Sequence, residues 1–389
     1  MISIDNAFSI LEDTVSPLKE MEVSLLEARN HVLAETLYSS INMPPFRQSN
    51  MDGFAICIHD LLLYTIVGEV KAGDIYSEEL QPGQAVKIFT GAAVPDSAQA
   101  VIQIEKVTIT NTQLLLQENI KLETNIRQIG AQISKADVAL TINTFLNAAA
   151  IGFLAGLGFT SVKVYKKPTV GIVVTGNELV SAGDFLPNGK IYESNAIMLQ
   201  TALYNGNFEV VSLYKIKDDF ESTKTILRKA ILENDVVLVS GGISVGDYDF
   251  VESALKSIEV ETLFYKVNQK PGKPLFVGKQ KDKIIFALPG NPAANLTCFY
   301  IYVLPTLQRR SGIESSYVSK QSKTITHDFI VDNSRCQFLK ALVVADQVTL
   351  LSHQDSSMLD TFALSNALVY LPNGNYKLIK GDKVVVYTI

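Results

Sequence analysis

The stretch 236–249 reads VVLVSGGISVGDYD, and it constrains this chain more than any other. A β-branched run at 236–239 ends in Ser240-Gly241-Gly242. A second small-residue turn, Ser244-Val245-Gly246, then brings in Asp247 and Asp249. A strand that stops at paired glycines and turns toward a helix exposes backbone N–H groups. Such groups suit an anion, phosphate above all. The two carboxylates that follow suit a hard cation such as Mg²⁺. The same residues also fit a plain βα turn with solvated acids, and this stretch alone does not choose between the two.

Two further loops add weight to the anion reading. Lys266, Lys270 and Lys273 frame the segment Lys270-Pro271-Gly272-Lys273-Pro274, where two prolines pin a loop whose lysines are point charges suited to phosphate. Leu288-Pro289-Gly290-Asn291-Pro292 follows an apolar strand at 284–287 and opens a long apolar helix from Ala293 onward. Pro292 falls near the start of that helix, where a missing N–H costs nothing. Singly, each loop is only a turn. Together, in a βα-alternating region, they describe strand ends converging on one anionic ligand.

At 389 residues the chain exceeds one ordinary core, so several domains are expected. Apolar content of 47% and charged content of 19% describe a globular protein. The net charge of −6 excludes a generally basic, nucleic-acid-binding surface. The most apolar run, 145–159, is broken by Asn147 and several glycines and is too short to span a membrane. Residues 1–10 carry Asp5 and lack the apolar core of a signal segment. Cys57, Cys298 and Cys336 are widely spaced with no CxxC pair, which points to a reduced, cytoplasmic protein without structural zinc. The four histidines show no ligand spacing.

The pattern along the chain gives four domains. Residues 1–42 and 137–167 form a split helical domain, with 1–40 read as helical and 141–159 as a small-residue helix that packs closely on another, of the same chain or of a partner subunit. Residues 43–136 are β-rich, with strands at 64–70, 84–90, 100–107 and 114–116. Residues 168–311 alternate strand and helix: strands at 169–174, 209–214, 235–239 and 284–287, helices at 195–204, 220–232 and 250–258. That alternation is the signature of a parallel α/β sheet. Residues 312–389 return to short strands and fit a small all-β domain.

Other candidates have structural alternatives beside them. Asp52, in PPFRQSNMDGFA, is placed to reach a metal or an oxyanion, or sits in an interdomain turn. Thr90, in IFTGAAVP, offers a hydroxyl at a strand end, or merely closes the strand. Glu105 is a ligand or a solvent-facing strand residue. Glu178 follows another strand-to-glycine turn, VVTGNEL. Ser194 and Asn195 face a ligand or cap a helix. Asp218 and Asp219 precede a helix and are most simply capping acids, worth about 0.3–1 kcal/mol.

The motifs MDGFA, FTGAAVP, VTGNELV, GKIYESNA, SGGISVGDYDF, KPGKP and LPGNP occur in this order along one chain. The set resembles the MoeA family of molybdopterin molybdenumtransferases, related to the E domain of gephyrin, and the resemblance spans essentially the whole chain. It implies a central parallel α/β molybdopterin-binding domain, a β-rich insertion, a helical dimerisation domain, a small C-terminal β-barrel and an elongated homodimer. It also implies insertion of molybdate into adenylylated molybdopterin with release of AMP and with Mg²⁺ as helper ion. The other expected partners are a molybdopterin adenylyltransferase and molybdenum-enzyme acceptors, without nucleic acid or membrane.

By motif position the resemblance places catalytic residues at Asp52, Thr90, Glu178, Asp218 and Asp249, and metal ligands at Asp249, Glu178 and Asp52. Substrate-binding residues fall at Gly241, Gly242, Ser244, Lys266, Lys270, Lys273, Pro289, Gly290, Asn291, Ser356 and Lys340. It further implies that Asp52 and Thr90 of one subunit serve the α/β domain of the partner. Three positions depart from the family pattern: Gln132 replaces an acid, Lys340 an arginine, and Ala293-Ala294 a serine-bearing pair. Gln132 weakens cation attraction, and Lys340 keeps charge but loses the bidentate fork. A scaffold, or an inactive paralogue that binds molybdopterin without transferring metal, is the alternative function.

Overall fold

The computed structural model describes residues 1–216, 219–243, 250–313 and 320–389. The chain divides into two compact units. One comprises Met1–Glu22, Asn30–Ala34 and Lys163–Ile389, the other Val23–Arg29 and Glu35–Val162.

The first unit is built on a six-stranded sheet in the order Val210–Ile216, Val170–Thr175, Val236–Ser240, Lys283–Leu288, Phe276–Gln280, Glu261–Tyr265. The first four strands are parallel. Strands Val170–Thr175 and Val236–Ser240 are buried along their whole length, which is why their sequences run apolar without alternation. Successive side chains still point to opposite faces. Val170, Ile172 and Val174 join one core with Leu199, Leu203 and Phe299, while Val173 joins the other with Leu227, Ile231 and Leu255.

Helices Asn195–Asn205 and Pro292–Cys298 cover the first face, Phe220–Glu233 and Val251–Ser257 the second. Asp219 caps Phe220–Glu233 by accepting from Ser222 N at 2.9 Å. The apolar run after Pro292 continues through a wider turn at Phe299–Val303 into Leu304–Arg310. Pro305 within it has no N–H for the preceding turn, which favours such a local widening.

The parallel reading therefore needs an addition: Phe276–Gln280 and Glu261–Tyr265 extend the sheet antiparallel. The helical reading of 1–40 is corrected more strongly. A helix forms at Ile4–Thr14, where Ile4, Ala7, Phe8 and Leu11 bury one stripe. Beyond it come a strand at Glu20–Ser24 and a turn over 25–30, because Pro17 and the alternation Met21, Val23 favour strand over helix.

A five-stranded barrel completes the first unit. Cys336–Val344 pairs with Gln347–Leu350, then Lys320–Ile325, Lys383–Thr388 and Ala367–Leu371, which returns to pair with Cys336–Val344. Leu339, Ala341, Val348, Val369 and Val386 fill its interior. Phe338, Leu368 and Tyr387 on alternate positions pack outward into the α/β core.

The second unit holds a six-stranded sheet in the order Ala100–Gln103, Gly53–Ile56, Gln84–Ile88, Leu63–Val70, Gln113–Leu116, Val107–Thr110. It also carries the helix Ala148–Gly156, capped by Asn147, whose Oδ1 accepts from Ala150 N at 2.9 Å. That helix is uncharged, yet of its residues only Leu154 is fully buried.

Candidate functional site

The parallel register aligns Val174 with Ser240 and Ser240 with Leu288, so three strands end side by side. Beyond them lies a cavity of about 550 Å³, at the carboxyl ends of the strands where open α/β sheets bind ligands. Gly176 and Glu178, Gly241 and Gly242, and Pro289, Gly290 and Asn291 line it from the three strand ends. Ile191, Tyr192 and Ile243 add apolar wall. Gly241 has φ +92, and a Cβ there would lie 2.9 Å from Thr175 O, so the turn needs glycine.

A buried amide knot holds the turns together. Asn195 Nδ2 donates to Ser240 Oγ at 2.9 Å and to Gly290 O at 2.8 Å. Asn295 Nδ2 donates to Ser240 Oγ at 3.0 Å and to Pro289 O at 3.0 Å. The helix beginning at Asn195 takes its cap from Glu193, whose Oε1 accepts from Ala196 N at 2.8 Å. Sequence reading left Asn195 open and missed Asn295. Its one available signal was a lone amide inside the apolar run PAANLTCFYIYV.

The lysine loop is braced from three sides. At its stem, Val267 N donates to Lys273 O at 3.1 Å and Lys266 N to Leu275 O at 2.9 Å. The N-terminal segment straps that stem, Ile2 N donating to Lys266 O at 3.0 Å and Asn268 N to Ile2 O at 2.8 Å. Gln269, wholly buried, gives Nε2 to Pro271 O at 3.0 Å and accepts from the Tyr302 hydroxyl. Gln269-Lys270 also pairs with Cys336-Gln337 of the barrel. Among the described residues no carboxylate pairs with Lys266, Lys270 or Lys273. The Lys266 ammonium lies 4.6 Å from the centre of the Tyr265 ring. Unpaired lysines held on a rigid loop are ready to meet an anion. Pro274, next to Lys273, lines the cavity.

The barrel supplies another wall, and here the reading of Lys340 as a substrate contact is corrected. Lys340 is buried, and its Nζ donates to His353 O at 2.6 Å, Met358 O at 3.0 Å and Asp355 O at 3.3 Å. Burial lowers its pKa, and Asp360 and Asp355 pull the other way. The charge is spent on carbonyls, so Lys340 folds the loop that carries Ser356. Ser356 Oγ accepts from Asn291 Nδ2 at 2.8 Å, and its carbonyl accepts from Ala294 N at 3.1 Å. Its neighbour Ser357 is the residue that lines the cavity.

In the second unit, Thr90 N and Thr90 Oγ1 both donate to Asp52 Oδ1 at 2.7 Å. The backbone bond first, then the hydroxyl, hold the Asp52 carboxyl below its ordinary range. Glu105 stands exposed in the short turn Ile104–Lys106, and Gln132 is exposed with its N–H on Met43 O at 2.9 Å. Asp218, Ser244 and Asp249 lie outside the described residues. Among the described residues no group of three or more His, Cys, Asp or Glu side chains is placed to hold a metal. Among the described residues no helix is long and apolar enough to cross a membrane.

A doubly covered α/β sheet with an anion-suited cavity at its carboxyl edge, joined to a closed barrel, defines a ligand-binding α/β protein, and residues 171–309 match the model of a probable molybdopterin binding domain. Residues 2–158 match the MoeA N-terminal region (domain I and II), and 324–389 the MoeA C-terminal region (domain IV). The chain is 31% identical to a molybdopterin molybdenumtransferase of Staphylococcus epidermidis, over 99% of this chain and 95% of that one. It is 32% identical to one of Haemophilus influenzae, over 99% and 98%. The crystal structure of a molybdopterin biosynthesis MoeA protein from Pyrococcus horikoshii superposes with a TM-score of 0.83 at 29% identity, covering 100% of this chain and 99% of that one. This chain belongs to the MoeA family of molybdopterin molybdenumtransferases.

Proposed function

We propose that the chain inserts molybdenum from molybdate into adenylylated molybdopterin, with release of AMP. The observation that carries this reading is the cavity at the three strand ends, beside a braced loop of unpaired lysines, in a chain whose relatives over nearly the full length are named molybdopterin molybdenumtransferases. Both substrates are anions in a protein of net charge −6, so local donors must gather them. Gly241 N is spent on Leu288 O at 3.2 Å, so the N–H groups these turns offer are those of Gly242 and Gly290, and Lys270 and Lys273 offer charge. Ile191 and Tyr192 give an apolar wall suited to a flat ring. In the reaction the oxygen of a water bonds phosphorus as one P–O bond of the pyrophosphate breaks and AMP leaves. The two dithiolene sulfurs bond molybdenum while one molybdate oxygen departs as water with the two thiol protons, with no change of oxidation state. No side-chain nucleophile is needed, and the chain binds, orients and neutralises.

Mg²⁺ fits as the helper ion. Glu178 is an exposed hard oxygen donor at the cavity, and Asp249 follows the glycine turn in sequence. Bound there, Mg²⁺ would offset pyrophosphate charge and assist the leaving AMP. The protein acts as a cytoplasmic homodimer in this reading. Support comes from the uncharged, largely unburied helix Ala148–Gly156 and from three free cysteines.

The test is to incubate purified protein with adenylyl-molybdopterin, molybdate and Mg²⁺, then isolate the pterin and measure its molybdenum. One molybdenum per pterin supports transfer. Pterin that stays bound but metal-free makes the chain a binding scaffold or an inactive paralogue.

A further inference from the structure

We propose that the Ser240 hydroxyl is a hydrogen-bond donor to an anionic oxygen of the ligand in the cavity. Ser240 ends its strand, is 2% exposed and lines the cavity. The two amides around it have fixed orientations. Asn195 Nδ2 is 2.8 Å from Gly290 O, and Asn295 Nδ2 is 3.0 Å from Pro289 O. Turning either amide over would set oxygen against carbonyl oxygen, so both nitrogens must stay where they are.

Each nitrogen therefore has one further N–H, and both reach Ser240 Oγ, at 2.9 and 3.0 Å. A hydroxyl has two lone pairs and one hydrogen. Both lone pairs are taken, so the hydrogen is confined to the one remaining direction. It is not spent on the amides, because Asn195 Oδ1 and Asn295 Oδ1 have no partner. No other acceptor for it occurs among the described residues. The knot thus does two things. It ties the Gly241-Gly242 turn to the Pro289-Gly290 turn, and it polarises one hydroxyl as an obligatory donor. A fixed donor that needs no reorientation suits an anionic oxygen better than a free rotor does.

This role rests on the reading that the cavity takes an anion, and the experiment separates the two. Calorimetry with inorganic pyrophosphate as probe compares wild type with Ser240→Ala, Ser240→Thr and Ser240→Cys, folding being checked by circular dichroism. Pyrophosphate is chosen because its binding does not depend on molybdenum transfer. Loss of the donor in the alanine variant is expected to weaken binding about tenfold or more, as for a charge-assisted bond. The threonine variant, which keeps the hydroxyl, is expected to stay within about threefold of wild type on that scale. The cysteine variant keeps the volume with only a weak S–H donor and should behave like alanine, and it serves if the alanine chain does not fold. Alanine and cysteine variants that bind like wild type overturn the proposal. So does a threonine variant as weak as alanine, because packing and not the hydroxyl would then matter. A wild-type chain that fails to bind pyrophosphate contradicts the anion reading itself.

Discussion

Gly272 and Cys298 touch with no room between them: a Cβ on Gly272 would lie 2.5 Å from Cys298 Sγ. The contact sets the lysine loop directly on the helix Pro292–Cys298, which starts from the Pro289-Gly290-Asn291 turn. One buried sulfur thus fixes the spacing between two parts of the site. Gly272→Ala should destabilise the fold by about 2 kcal/mol or more, through overpacking and the cost of a side chain at φ +89. Cys298→Ala makes space, so the double variant should recover part of that loss in denaturant unfolding. Strictly additive losses would show that the two residues are not coupled.

Lys340 is a structural cation, and its removal should look like one. Lys340→Met leaves the carbonyls of His353, Asp355 and Met358 without their donor. We expect a loss of about 2–4 kcal/mol in chemical denaturation, with weaker ligand binding because the Ser356 loop loosens. Unchanged stability together with lost binding would return Lys340 to the role of a substrate contact.

These two residues show what the sequence displayed and what it hid. The buried strands were legible because β-branched runs stop at glycine or proline, as at Ser240-Gly241 and Leu288-Pro289. The loops of the site were legible for the same reason. The edge strand Glu261–Tyr265 was missed because it is short and opens on a charged residue, and its inner neighbour Phe276–Gln280 because its apolar run is brief and broken by Gly278 and Lys279. Residues 15–40 were misread because closely spaced Met21, Val23, Leu25 and Leu26 satisfy helical and strand patterns alike over so short a run. Asn295 and Gln269 were hidden because a buried amide announces itself only through partners distant in sequence. Lys340 misled because a charged residue is read as exposed until three carbonyls are found around it.

Asp52 should show a pH signature. Thr90 holds the ionised carboxyl, so its folded-state pKa lies below the unfolded one. The stabilisation is therefore present above the unfolded pKa, about 4, and is lost as pH falls through the lower folded value. Asp52→Asn keeps an acceptor for Thr90 and removes only the charge. The melting temperatures of variant and wild type should differ near neutral pH and converge at acid pH. A gap that does not change with pH would show that the charge is not what Thr90 stabilises.

Lys270 and Lys273 should act through charge. Each alanine substitution is expected to weaken binding of the anionic pterin by about 1.5–3 kcal/mol at low salt, with the loss shrinking as salt rises. Both side chains are exposed, so folding should be unaffected. Binding that does not change at low salt would reduce the loop to a turn.

The central claim is that cleavage of the adenylyl group is coupled to molybdenum insertion at this cavity. The most direct measurement is AMP release from adenylyl-molybdopterin by the purified wild-type chain, followed by chromatography with Mg²⁺ present and molybdate either added or omitted. The account predicts AMP release that depends on molybdate and matches the molybdenum bound to pterin one for one. No AMP release, or release at the same rate without molybdate, would contradict it.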